Sequence, residues 1–429
     1  MKKSYLKSGL ALGAVLSCGA AMADSTGLTP IQNGPTVTFS SFGTIGAVQT
    51  NTDNGVYITA RQGEGATKTA DFGPDTLVGG QMDTKFNDYL SATVQVVSRE
   101  NAISSYEPSV EWAFAKMKLG EGFEMRLGRI GAPFFMTSDF RSVGYTNVTV
   151  RTPVDVYGLV PVRSFDGGDL LYKTEIGGTS VNAQMWLGKS KILLGQEASG
   201  NEYFTLKNVA GLNISAENGP LTLRAGTMKS RMGTSGLTSF NGLLGGLHAL
   251  SAAPGLSSLN EIGEDLAING KFASFTGVGA IFDQGNWILT SEYVKRTTGS
   301  TYVSDANAWY ATLGYRISTF TPYLSFSNRK ITSETSVTSP TVSPLLPFPI
   351  PQTVAALVAG VNSALANSSE STSALGVRWD AGKNYDIKAE FQQIRVPADS
   401  AGVFKNVQGG SYSMDTKVNV VSLVVDFVF

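Results

Sequence analysis

The chain has 429 residues, 42% of them hydrophobic and only 16% charged, with 48 glycines and a formal net charge of −1. A charge balance this even argues against nucleic acid and against a strongly acidic or basic partner. One cysteine and one histidine exclude a disulfide framework and leave thiolate, imidazole and metal-ligand chemistry without a constellation.

In chain order, the first segment is an export signal. Met1 to Lys7 carry three lysines, an apolar run from Gly9 to Leu16 follows, and Cys18-Gly-Ala-Ala-Met-Ala23 ends it. Residues 1–23 are therefore expected to be a removed signal peptide, with Asp24 as the mature start. The rival use of Cys18 is lipidation. Mean hydropathy is near zero for an exported chain, yet no later segment supplies the ~18 uninterrupted apolar residues of a membrane helix. In lipid the remaining way to satisfy every backbone group is a closed barrel of strands.

Period-2 alternation marks the strands. They are expected at 36–50, 75–87, 88–100, 108–119, 122–131, 168–177, 179–190, 203–217 and 220–231. Seven more follow at 266–282, 286–298, 305–319, 321–331, 372–381, 385–396 and 416–429. Tight turns at Asn87-Asp88, Gly120-Glu121, Gly177-Gly178, Asn218-Gly219, 283–285, Phe320 and 382–384 alternate with longer connections. The fold class is thus all-β: a transmembrane, sixteen-stranded antiparallel barrel in a single domain, 24–429, with short turns at one end and long loops at the other.

Alternation sorts the faces. Val94, Val96, Val110, Trp112, Phe114, Phe123, Met125 and Leu127 are expected to face lipid. Arg99, Glu111, Glu124, Arg126, Lys173, Glu175, Arg224, Glu292, Arg378, Lys388 and Glu390 are expected to face a water-filled lumen, where charges set the energy of a passing solute. The long connection 132–167 carries Asp139, Arg141, Arg151, Asp155, Arg163 and Asp166. Two other connections, 232–264 and 332–371, are apolar. The second has Val354, Leu357, Val358, Val361 and Leu365 at helical spacing, and burial against the chain's own barrel is expected for both.

The ending Val421-x-Leu423-x-Val425-x-Phe427-x-Phe429 resembles the terminal signature of outer-membrane porins. Leu127-Gly-Arg-Ile130 resembles the Gly-Arg motif of the fifth strand in general porins, and Tyr89 to Arg99, Val110-Glu-Trp-Ala113 and Arg151-Thr-Pro-Val-Asp-Val-Tyr157 fit a porin-like group. The resemblance implies a homotrimer in the Gram-negative outer membrane, in contact with the bilayer and its lipopolysaccharide. It implies insertion by the barrel-assembly machinery, which reads Phe429. It further implies that 132–167 folds into the lumen as a constriction loop, and that Arg129 joins Arg99 and Arg126 in a cationic wall opposite it. The family's acidic loop-tip motif is absent.

The function expected is passive diffusion of small hydrophilic solutes and ions, with no cofactor and no enzymatic activity. The alternatives are an adhesin or structural barrel, and a barrel hydrolase. A hydrolase needs a histidine beside a serine or aspartate, and His248 lies in the apolar stretch Leu243 to Leu250.

Overall fold

The computed structural model describes residues 34–343, 345–365, 367–408 and 410–429. The expected signal peptide, 1–23, lies outside them. Sixteen strands close into one antiparallel barrel in which every strand pairs with its sequence neighbours and β1 pairs with β16. They are β1 Thr36–Thr50, β2 Leu77–Lys85, β3 Leu90–Arg99, β4 Ser109–Gly120, β5 Phe123–Gly131, β6 Ser164–Ile176, β7 Thr179–Glu197 and β8 Gly200–Asn218. The second half comprises β9 Leu221–Ser235, β10 Phe272–Gln284, β11 Trp287–Thr298, β12 Ala306–Tyr315, β13 Phe320–Ile331, β14 Glu370–Trp379, β15 Tyr385–Val396 and β16 Thr416–Val428.

Closure leaves no edge at the seam, where Ser41 and Phe429 exchange two backbone hydrogen bonds of 2.8 Å. Leu423, Phe391, Leu375 and Leu324 stand exposed on the outer face, while Ser422, Glu390, Ser325 and Asp426 alternate with them and are buried inside. At the end carrying the short turns, outward aromatic side chains pair across neighbouring strands: Phe123 with Tyr172, Trp287 with Tyr315, and Phe320 with Trp379. Such rings suit a membrane interface, with an apolar body and a polar tip.

Three local departures from the expected pattern have physical causes. In β4 a bulge sets Gln95 opposite Trp112 but Val96 opposite Val110. The extra residue inverts the faces, so Trp112 and Phe114, expected to face lipid, line interior cavities. The strands β7 and β8 run on to Glu197 and from Gly200, which reduces a connection expected to be long to a two-residue turn. In this extension β7 pairs with β8 alone, because its register with β6 ends at Lys189 opposite Asp166. Leu266, expected to open a strand, instead ends a helix, and β10 starts at Phe272.

Among the described residues, four α-helices lie in the loops: α1 Val154–Tyr157, α2 Thr238–Ser251, α3 Ser258–Leu266 and α4 Ile350–Ala364. The helical spacing read in the last apolar loop is α4, which buries Val354, Val358 and Val361. With Phe240 and Leu247 of α2 and Leu259 and Leu266 of α3, these side chains form one apolar cluster. Phe134, Phe135, Val156, Leu159 and Val162 of the connection after β5 belong to the same cluster. The apolar loops are thus buried against their own barrel.

Candidate functional site

The connection 132–163 enters the barrel and is held there from nearly all sides. The loop rejoins the wall four residues earlier than expected, because β6 starts at Ser164. On one side, Glu292 of β11 accepts a hydrogen bond from the Met136 N–H at 2.9 Å, and Arg224 of β9 donates to the Phe134 carbonyl at 3.1 Å. On the opposite wall, Arg99 of β3 donates to Ser142 Oγ at 3.0 Å.

From the wall between β11 and β3, Lys388 of β15 donates to the Gly144 carbonyl at 2.8 Å, and Arg378 of β14 donates to the carbonyls of Tyr145 and Asn147 at 2.6 and 3.0 Å. Arg329 of β13 donates to the carbonyls of Asp155 and Val154, and Arg296 of β11 to that of Leu159. Irregular backbone at membrane depth is tolerated only where its polar groups are satisfied. Inward arginines and a lysine supply that satisfaction here.

Carboxylates complete the anchorage. Arg151 makes two hydrogen bonds to Asp75, at 2.7 and 2.6 Å, and also donates to Ser422 and to Tyr57. Glu390 lies 3.6 Å from the same guanidinium. Asp155 is buried and accepts a hydrogen bond from Ser327. Asp155 and Arg151 therefore fasten the loop to the wall.

The remaining expected site residues fall into distinct places. Arg99 is inward and pairs with Glu111 at 2.6 Å. Arg126 is inward too, and grips Asp169 through its Nε and Nη2. It lines a cavity of about 510 Å³ between the loop and the turn end, together with Lys173, Asp139, Glu124, Lys116 and Arg224. Glu175 shares the face of Lys173, two residues on, and is exposed.

Arg129 and Asp166 are a correction. Arg129 sits opposite Asp166 and Ala113 in the register, three residues from inward Arg126, while Ile130 beside it is fully buried in the interior cluster. With period-2 alternation and no bulge in β5, Arg129 and Asp166 both face outward, where they form an ion pair of 2.7 Å. Arg129 therefore does not share the inner face with Arg99 and Arg126.

Arg141 and Arg163 line a second, smaller cavity of about 80 Å³ on the side of β1 and β2, with Arg151, Asp75, Thr44, Thr59, Ser142 and Thr152. The Arg141 guanidinium stacks on the rings of Tyr157 and Phe135 and donates to the Tyr157 carbonyl. Burial pushes it down to about 10. Burial, with Arg99 and Arg141 alongside, pushes the Arg163 guanidinium well below its usual range.

Sequence reasoning missed the tethers Asp75, Tyr57, Arg296 and Arg329, as well as Asp169, the partner of Arg126. Strand parity could have found Asp169 and Arg329, which alternate with outward Leu170 and Lys330. His248 is exposed on α2, with Asn260 Oδ1 2.9 Å from its Nδ1, and among the described residues its ring has no serine or carboxylate partner. Among the described residues no group of three or more His, Cys, Asp or Glu side chains could hold a metal.

No protein-family model and no curated protein matches the sequence. Solved structures do match the fold. OmpF from Salmonella typhi, in complex with daunomycin, is 13% identical with a TM-score of 0.54, covering 94% of this chain and 100% of its own. The outer-membrane channel DcaP of Acinetobacter baumannii is 12% identical with a TM-score of 0.50, covering 93% and 98%. At such identities the likeness concerns architecture, and the chain has the sixteen-stranded, porin-like barrel fold of these outer-membrane proteins.

Proposed function

We propose that the chain is an outer-membrane channel through which small hydrophilic solutes and ions diffuse passively. The observation that carries this reading is the loop 132–163, held across the lumen by side chains from opposite walls, Arg99 of β3 and Glu292 of β11. A loop tethered in this way narrows a passage and lines it with charge, which is the task of a selectivity filter. A barrel of ~16–18 strands is wide enough to leave an aqueous path.

The pore-facing residues on this reading are Arg99, Arg126, Asp139, Arg141, Arg163, Lys173 and Glu175, with Arg151 and Asp155 as anchors of the constriction. Residues 1–23 are removed on export, Phe429 is read during assembly, the barrel sits among lipopolysaccharide, and three copies associate. No step of this transport calls for a catalytic group or a cofactor. Conductance in planar bilayers, with reversal potentials in asymmetric KCl, tests the reading. Discrete open-channel steps are expected, and a purified, heat-modifiable barrel that inserts without conducting would overturn it in favour of a structural barrel or adhesin.

A further inference from the structure

The small cavity beside β1 has an unusual charge balance. Three guanidiniums, Arg141, Arg151 and Arg163, face a single carboxylate, Asp75, and Arg151 already holds that carboxylate with two hydrogen bonds. Arg99, behind Ser142, is taken up by Glu111. Among the described residues, neither Arg141 nor Arg163 has a carboxylate within ion-pairing distance. The Arg163 side chain makes no hydrogen bond at all there, and two buried nitrogens of Arg99, Nε and Nη1, are also without a partner.

Arg141 and Arg163 are half-buried, an unpaired charge is costly where little water reaches it, and Arg99 and Arg141 stand close enough to Arg163 to depress it. Of the hydroxyl groups lining the cavity, those of Thr44, Thr59 and Ser142 already donate to Asp426, the Pro74 carbonyl and Glu111, which among the described residues leaves that of Thr152 to donate to a bound oxygen. Guanidinium forks match the planar, paired oxygens of a carboxylate or phosphate. The volume, about 80 Å³, admits a small anion and little more.

The geometry points to a discrete, saturable binding site for a small oxyanion, carboxylate or phosphate, between Arg141 and Arg163. This deepens the channel reading and rests on it only for the anion's route of access. The site makes selectivity a matter of occupancy: an anion is bound, then released onward, where a purely diffusive wall would only bias the ion cloud.

Calorimetric titration of the refolded, full-length barrel in chloride-free buffer tests it, with inorganic phosphate in one arm and acetate in the other. One-site, saturable binding is expected for at least one anion. It should weaken tenfold or more in Arg163→Gln and in Arg141→Gln, and stay unchanged in the outward Arg129→Gln. Arg163→Gln removes no hydrogen bond, so its fold should persist, and heat-modifiability checks this. Absence of saturable heat with both anions, or equal affinity in wild type and both lumen variants, would overturn the site. A barrel that conducts but binds neither anion refutes the site alone; one that binds and does not conduct refutes the channel alone.

Discussion

Arg151 of the inward loop and Asp75 at the head of β2 meet side-on, with Nε donating to Oδ1 at 2.7 Å and Nη2 to Oδ2 at 2.6 Å. The carboxylate can approach because Gly46 of β1 lies beneath it, where a Cβ would come within 2.7 Å of the Asp75 Cβ. The pair is buried, so removing one partner leaves charge uncompensated, at a cost of about 3–5 kcal/mol. Arg151→Ala should therefore lower the unfolding temperature of the barrel and loosen the constriction. Single-channel recordings should show larger and noisier currents, and an unaltered conductance would mean that this pair does not hold the loop.

Facing decides selectivity. Arg126 points into the cavity beneath the loop and Arg129 points outward. A charge in the narrow, poorly screened interior acts on a passing ion far more than one on the outer surface. Arg126→Ala and Arg99→Ala should shift the reversal potential toward cations, the more so because Asp169 and Glu111 lose their partners. Arg129→Ala should leave it where it is. Equal shifts at Arg126 and Arg129 would contradict the assigned faces.

Glu100 follows β3 in the loop end of the barrel and is almost fully buried. Burial raises its carboxyl from an ordinary 4.5 to about 7, with Asp71 and Glu64 adding to the effect and the Glu64 N–H and Lys405 opposing it. A carboxyl raised in the folded state favours the fold when protonated. That stability is present below pH 4.5 and is lost as pH rises through about 7. The change is at most about 3 kcal/mol. Melting temperatures at pH 5 and pH 8 should differ in wild type and converge in Glu100→Gln; a difference that survives the substitution would assign the effect to another group.

The last residue is part of the seam. Its N–H and carbonyl pair with Ser41, at roughly 1 kcal/mol for each hydrogen bond, and its ring lies 5.9 Å from that of Phe427. Deleting Phe429 should lower the yield of heat-modifiable barrel in outer membranes while export continues. Normal yield would remove the assembly role.

The strand count was legible because alternation and turn residues are local signals; β1 and β15 begin and end where the alternation does. The helix α4 was legible for the same reason, from Val354, Val358 and Val361. The faces of Trp112 and Phe114 were hidden, because a one-residue bulge carries no compositional mark yet reverses parity. Arg129 was placed inward by resemblance against its own parity, and the register returns it to the outside. The pairing of these wall residues with the loop was out of reach: Asp75, Arg329 and Lys388 are separated from it by tens to hundreds of positions and converge only once the barrel closes.

The extension of β7 beyond Lys189 has a partner on one side only, so several amide and carbonyl groups face outward in a row above the last β6 contact. An unpaired row of this kind is a template for a strand from another chain. Lys189 and Lys191 stand exposed along the approach to it, and a like-charged segment from a second copy is repelled there before backbone groups can register. If the charge on these two lysines keeps the hairpin solitary, exchanging both for threonine should turn it into an adhesive edge that joins barrels in detergent, visible as higher-order species by light scattering; an unchanged size would show that the lysines do not guard the edge.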